Sequence, residues 1–246
     1  MLSVIKIGSH IIDNPVRLAG VLDDFAALPG MKILVHGGGA LATEMLGKLN
    51  IPTQMHQGRR ITDPESLKIV SMVYAGWVNK HIVAELQKRG CNALGLSGAD
   101  ANAIPAHKRP VKDIDYGEVG DIIPSEINEG LISMLLVKDI VPVFCSITHD
   151  GQGHLLNTNA DTLASSVAMA LAPRYPTQLI YHFEEKGVLS NPKDPDSLIP
   201  LITAQSYRKL LDEGIVSGGM IPKLDTAFLA LEKGVNEVRI SQTIIK

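Results

Sequence analysis

Two lysines and a run of three glycines carry the most visible chemistry in this chain. Lys6 stands in SVIKIGS, Gly37, Gly38 and Gly39 follow KILVH, and Lys223 ends SGGMIPK. Bare glycine backbone lets N–H groups converge on an anion, and a nearby lysine adds the point charge that a phosphoryl group in transfer requires. Lys6 lies inside an apolar run just before Gly8, where an ammonium is costly unless an anion receives it. Taken singly, either lysine could equally be a side chain snorkelling to water; their shared setting between glycine and an apolar element favours a phosphate site. No GxxxxGKS/T sequence is present, so a loop other than the Walker type must do the work. Gly37-x-Gly39-x-x-Ala42 also fits the loose dinucleotide fingerprint of a dehydrogenase. The acidic residue which that fingerprint wants about 20 residues on is replaced by the basic loop QGRRITD.

These residues sit at junctions of a regular alternation. SVIKI, VRLAGVLDDFAAL, KILVH and ALATEMLGKL read as strand, helix, strand, helix. SLKIVSMVYAGWVNKHIVAELQKRG reads as one long amphipathic helix, CNALGLS and IVPVFC as strands, and DTLASSVAMALA as a small-residue helix. QLIYHF, SYRKLLDEG, TAFLALEKG and EVRI continue the pattern. Continuous apolar strands separated by helices imply an α/β fold with a mostly parallel sheet covered on both faces. The stretch His107–Gly120 interrupts the rhythm with charge, proline and glycine, as a hairpin or loop would. Ser190–Ser197 (SNPKDPDS) reads as a solvated turn cluster.

Composition narrows the functional classes. With 246 residues, 45% hydrophobic and 20% charged, the chain can bury a large core as one domain. A net charge of −3 with both signs interspersed leaves no basic face for nucleic acid. Cys91 and Cys145 stand alone without CxxC spacing, which reads as two buried thiols rather than a metal site or disulfide. No leader pattern and no apolar run of about 20 residues is present, so a cytoplasmic location without membrane contact is the expectation.

KIGS, HGGG, QGRRITD, GWVNK, NTNAD and GGMIPK, in this order and at this spacing, resemble the N-acetylglutamate kinases of the amino acid kinase family. The likeness runs from about Ser3 to Ile240. It implies a three-layer αβα sandwich of the carbamate kinase type spanning 1–246. An N-terminal acyl-amino-acid lobe would cover about 1–160 and a C-terminal nucleotide lobe about 161–246. The implied reaction is ATP-dependent phosphorylation of the side-chain carboxylate of N-acetyl-L-glutamate, a step of arginine biosynthesis. A carboxylate is ionised at neutral pH, so alignment and charge stabilisation suffice without a general base.

By this resemblance Lys6 and Lys223 neutralise charge on the moving phosphoryl group and Asp161 orients both. An aspartate in that position could also be a plain helix N-cap. Arg60 would grip the substrate α-carboxylate, a task suited to a bidentate guanidinium. Gly38, Gly39, Asn157 and Asn159 would complete the substrate contacts, and Gly8, Ser9 and Gly38 would contact phosphate. Glu184, Lys186, Gly187, Val188, Ser217, Gly219 and Met220 are the implied nucleotide-side residues. Mg²⁺ would arrive with ATP, held mostly by phosphates and water, since no acidic cluster for a dedicated cage is visible. A homodimer through a long helix is also implied; Met72, Tyr74 and Trp77 could present that surface, and burial in the core explains them equally well. Insensitivity to arginine is implied too, because the chain begins almost at its first strand.

Three departures from the family pattern stand out. Ser9 replaces the second glycine of KxGG, keeping the N–H. His182–Gly187 (HFEEKG) replaces a Thr/Ser-Asp-Val-x-Gly run and puts the adenine contacts in question. The end, SQTIIK, lacks the usual loop and Gly-Thr before the last strand. Arg59, at a usually apolar position, keeps N-succinyl-L-glutamate open as an alternative substrate. Sibling kinases acting on carbamate, aspartate, glutamate or UMP, and a non-catalytic amino-acid sensor, also stay open.

Overall fold

The computed structural model describes residues 1–56, 59–191 and 193–246. Its strands are β1 (Leu2–Ile7), β2 (Met31–His36), β3 (Gln54–His56), β4 (Arg59–Ile61), β5 (Ala93–Leu96), β6 (His107–Lys108), β7 (Gly120–Asp121), β8 (Val141–Cys145), β9 (Ile147–His149), β10 (Leu155–Asn157), β11 (Thr177–His182), β12 (Leu201–Ile202), β13 (Glu237–Ile240) and β14 (Thr243–Ile245). Its α-helices are α1 (Ser9–Ile12), α2 (Pro15–Ala27), α3 (Gly39–Lys48), α4 (Pro64–Ser71), α5 (Asn79–Lys88), α6 (Glu129–Val137), α7 (Ala160–Leu171), α8 (Ala204–Asp212) and α9 (Met220–Glu232).

Eight strands form one sheet in the order β12, β14, β13, β11, β1, β2, β8, β5. Its pairings are parallel except for β13 with β14. β1 lies between β11 and β2 with helices on both faces, which is why all six of its residues are apolar or paired and buried. Because side chains alternate along a strand, Leu2 and Val4 enter a core shared with α7 and α9, while Ile5 and Ile7 enter one shared with α2 and α5. Two cores on two faces make the three-layer αβα sandwich. The same alternation sends Lys6, two residues past Val4, to the α7 side. Helix starts are fixed locally: Asn14 accepts from the amides of Val16 and Arg17 ahead of Pro15, and Asp63 accepts from Ser66 ahead of Pro64.

The shorter strands form hairpins, β3 with β4, β6 with β7, and β9 with β10. Bridges from Thr62 to Gly117 and from Val119 to Asn157 tie them together. The charged insert from His107 to Gly120 is thus a hairpin arm laid against the Thr62 and Asn157 strands. Ser190–Ser197 closes through Ser190 N–H to the Ser197 carbonyl at 2.9 Å, with Pro192 outside the described residues.

The region expected as one long helix is α4, a π-helical segment Met72–Val78, and α5. A π turn admits one extra residue and resets which side chains face inward. Val73, Tyr74 and Val78 are buried, whereas Met72 and Trp77 stay 66% and 67% exposed. Of the two readings open for Tyr74, dimer surface or core, the second holds: it packs under the glycine loop. At the far end, β13 passes directly into β14 through Ser241 and Gln242, with Ser241 in the left-handed region at φ 48°.

Candidate active site

The carboxyl ends of β1, β2 and β11 open into a cleft of about 610 Å³, the place where open parallel sheets bind ligands. Lys6, Arg59, Arg60, Arg109 and Lys223 line it, against one carboxylate, Asp161, among the described residues. Such a surplus of positive charge suits an anionic ligand.

Lys6 and Asp161 form an ion pair of 2.7 Å, with side-chain exposures of 10% and 19%. Lys223, from the first turn of α9, brings its Nζ to 3.7 Å from the centre of the Phe183 ring, and Lys6 Nζ lies 4.7 Å from the same point. Two lysines 217 positions apart in sequence thus lie against one ring. Burial lowers the pKa of Lys223 below the ordinary lysine value of 10.5; Asp161 opposes this shift and the charge on Lys6 adds to it.

Asn159, not Asp161, is the N-cap of α7: its side chain accepts from the Thr162 amide at 3.0 Å. Asp161 sits in the first turn, where the helix dipole favours its charge and its side chain reaches Lys6. Asn157 donates to Thr62 Oγ1 at 2.9 Å across the β10–hairpin contact, and both asparagines line the cleft.

On the opposite wall, Arg60 is buried yet lines the cleft. Its Nη2 donates to the Gly39 carbonyl at 3.1 Å and to Thr43 Oγ1 at 2.7 Å, its Nη1 donates to Thr53 Oγ1 at 3.3 Å, and its Nε has no partner among the described residues. Gln57 and Gly58 of the same motif lie outside the described residues. Arg59 lines the cleft, as does Arg109, which is paired with Asp121. The glycine loop is clamped from behind. His36 Nδ1 donates to the Gly37 carbonyl at 2.7 Å while Asn79 Nδ2 donates to His36 Nε2 at 2.9 Å and to the Val143 carbonyl. This arrangement fixes a neutral imidazole, and burial holds its pKa down to about 4. A side chain on Gly38 would put a Cβ 2.9 Å from Tyr74 Cδ1, so only glycine fits without displacement.

Other expected residues are distributed unevenly. Gly8 borders the cleft but gives its N–H to the His182 carbonyl at 3.0 Å, so Ser9 is the residue of this loop with an amide and hydroxyl to offer. Of the nucleotide-side set, Gly219 lines the cleft as the residue preceding α9. Glu184 pairs with Arg17 at 2.7 Å and Lys186 with Asp196 at 3.4 Å, both in exposed positions. Gly187 and Val188 pack inward: a Cβ on Gly187 would meet Thr243 Oγ1 at 2.5 Å, and the Val188 amide donates to that hydroxyl. Ser217 is exposed with its carbonyl accepting from Met220, which is half-buried against the α7 core. Sequence reasoning missed Phe183, Tyr74, Thr43 and Thr53 as site residues. Phe183 had one signal, its place at the carboxyl end of the strand beside β1.

A sequence profile described as the amino acid kinase family matches residues 1–242. Acetylglutamate kinases from Phocaeicola vulgatus and Cytophaga hutchinsonii are 50% and 52% identical to the chain over 240 and 242 residues. Each alignment covers 98% of this chain, and 93% and 91% of those proteins respectively. A solved structure from Streptococcus mutans UA159 superposes with a TM-score of 0.81 at 27% identity, covering 100% of this chain and 98% of that one. Carbamate kinase from Giardia lamblia, bound to AMP-PNP, shares the fold with a TM-score of 0.65 at 15% identity over 99% of this chain and 97% of its own. With half its residues shared with acetylglutamate kinases along nearly its whole length, and with the glycine loop and paired lysines at the mouth of one parallel sheet, the chain belongs to the amino acid kinase family.

Proposed function

We propose that this protein transfers the γ-phosphoryl group of ATP to the side-chain carboxylate of N-acetyl-L-glutamate, giving N-acetyl-L-glutamyl 5-phosphate and ADP in arginine biosynthesis. One observation carries the reading: the ammonium groups of Lys6 and Lys223 lie 4.7 and 3.7 Å from the centre of one ring, with Asp161 bonded to the first, in a cleft that Arg60 also lines. The carboxylate oxygen attacks phosphorus and the bond to the ADP oxygen breaks, so no proton need move. Lys6 and Lys223 take up the charge spread over the transferring oxygens, and Asp161 holds Lys6 on target. Arg60, braced by Thr43, Thr53 and the Gly39 carbonyl, presents its guanidinium to the substrate α-carboxylate. Gly38, Gly39, Asn157 and Asn159 line the acyl-amino-acid side, and Ser9 with the glycine loop faces the γ-phosphate.

The nucleotide enters on the α9 side past Gly219, with Glu184 and Lys186 at the outer edge. Mg²⁺ accompanies ATP on its phosphates; the cationic lining fits such a polyanion. The part before α7 binds the acyl amino acid and the part from α7 onward binds nucleotide. No helix among the described residues is long and apolar enough to cross a membrane, and the cytoplasm supplies ATP for the reaction. Met72 and Trp77, exposed on the π-helical ridge, mark the surface through which two copies pair.

Release of ADP by the purified protein, coupled to NADH oxidation, tests this with N-acetyl-L-glutamate beside N-succinyl-L-glutamate, glutamate, aspartate, carbamate and UMP. Turnover with N-acetyl-L-glutamate, trapped as a hydroxamate, is expected. A tenfold preference for any other acceptor would overturn the assignment.

A further inference from the structure

Lys6 has a carboxylate partner, but among the described residues no carboxylate lies within ion-pair distance of Lys223. Its half-buried ammonium rests instead on an aromatic face, 3.7 Å from the centre of the Phe183 ring. The ring's negative face attracts cations at this range. Lys6, at 4.7 Å from the same centre, shares it.

Phe183 is held from several directions. Its amide donates to Ser241 Oγ at 3.2 Å, in the tight turn that joins β13 to β14. Its ring stacks on Tyr181, with centres 6.1 Å apart and planes at 17°. A Cβ on Gly8 would stand 3.6 Å from its Cδ1, so the ring also lies against the loop that follows Lys6. The side chain thus lies between the strand that carries one lysine and the helix that carries the other.

We propose that Phe183 is a positioning residue for phosphoryl transfer: its ring holds the Lys223 ammonium charged and in place beside Lys6, and keeps that contact from the other side as the γ-phosphate arrives. A carboxylate at this position would bind Lys223 as a salt bridge that ATP must break, and an aliphatic side chain would leave a desolvated cation with no attraction. A ring attracts the cation without competing with phosphate, and two like charges can lie against it while Asp161 offsets one of them. The inference rests on the phosphotransfer reading above, since it concerns the lysine that acts in that step.

The test replaces Phe183 with 4-fluoro-, 3,5-difluoro- and 3,4,5-trifluorophenylalanine, which keep its shape while progressively emptying the ring's negative face. In nucleotide-free protein, Lys223 is labelled with trace acetic anhydride at fixed pH and its acetylation rate read by peptide mass spectrometry. The rate should rise stepwise, by about fivefold at the trifluoro ring, as the charged form loses its partner. In steady-state assays kcat/KM for ATP should fall across the same series by about tenfold, with KM for N-acetyl-L-glutamate unchanged and the melting temperature constant. Phe183→Leu should lose at least as much and Phe183→Trp should recover most of it. A flat labelling series overturns the role of the ring whether or not the enzyme turns over. Absence of turnover in the unmodified protein, with the labelling series intact, would instead sink the kinase reading.

Discussion

Asp161 and Lys6 are each other's main electrostatic partner, so changing one leaves the other exposed to the cost of partial burial. Asp161→Asn keeps the shape of the first turn of α7 and removes the charge that aims Lys6. We expect kcat to fall by about 10²-fold while KM for the acyl amino acid changes little, the pattern of an interaction made in the transition state. Steady-state kinetics with both substrates varied checks this, and a kcat within threefold of the parent would exclude the role given to Asp161. Lys223 predicts a pH dependence. Burial lowers its pKa, so the ammonium is lost at a lower pH than that of a free lysine. The proposed transfer step needs the charged form, and kcat/KM for ATP reports the free enzyme. Its alkaline limb should therefore fall below pH 10.5 and vanish from the profile of Lys223→Arg, whose guanidinium does not titrate there.

At the scale of elements, the glycine loop between β2 and α3 depends on what the π-helical segment and α5 press against it. Gly38→Ala would drive a methyl group into Tyr74, costing about 1–3 kcal/mol as overpacking does. It should also move the Gly39 carbonyl that braces Arg60. Chemical denaturation together with KM for the acyl substrate measures both effects, and an unchanged KM would show that the loop tolerates displacement. His36 contributes a second, pH-dependent term. With its folded pKa near 4 against 6.5 in the unfolded chain, the unfolded state binds the extra proton between those values. Stability from this group is therefore complete above about pH 6.5 and is lost as pH falls toward 4. The loss is at most about 3 kcal/mol, from 1.36 kcal/mol per pH unit. Urea midpoints measured from pH 7 to pH 4 should show this slope, and His36→Gln should flatten it. The cap of α7 belongs here too: Asn159→Ala removes one accepted hydrogen bond, about 1 kcal/mol, and leaves the helix without its start signal.

Over the whole molecule, the sheet gathers onto one edge residues drawn from both halves of the chain. β1 lies between β2, which leads to the glycine loop, and β11, which leads to Phe183, so neither half alone can assemble the cleft. The π-helical ridge turns one face to this site through Tyr74, with Asn79 of α5 following it, and the other outward through Met72 and Trp77. Pairing of two copies through the outer face predicts that Met72→Glu with Trp77→Glu gives a monomer in sedimentation velocity. Activity should then drop as the ridge that backs the glycine loop loses its cover. Retention of the parental sedimentation coefficient would exclude pairing through this face.

Short-range pattern determined a good deal by itself. The alternation of apolar strands with helices fixes the layers, because a run such as SVIKI can be satisfied only between parallel neighbours under two helical covers. The residues of KIGS, HGGG and GGMIPK are equally local, since glycine and lysine carry their possibilities wherever they stand. The tertiary structure decided which of those possibilities are realised. The register of β1 against β11 ties up the Gly8 amide and brings Phe183 beside Lys6; a π turn, invisible to a 3.6-residue period, turns Tyr74 inward. That Asn159 caps α7 and leaves Asp161 free for Lys6 depends on where the helix begins, one residue along. Glu184, Gly187 and Val188 follow one another within five positions, yet ion pairing draws the first to the surface and packing against Thr243 draws the others into the core. Such outcomes turn on distances between segments far apart in sequence, a quantity that no local pattern encodes.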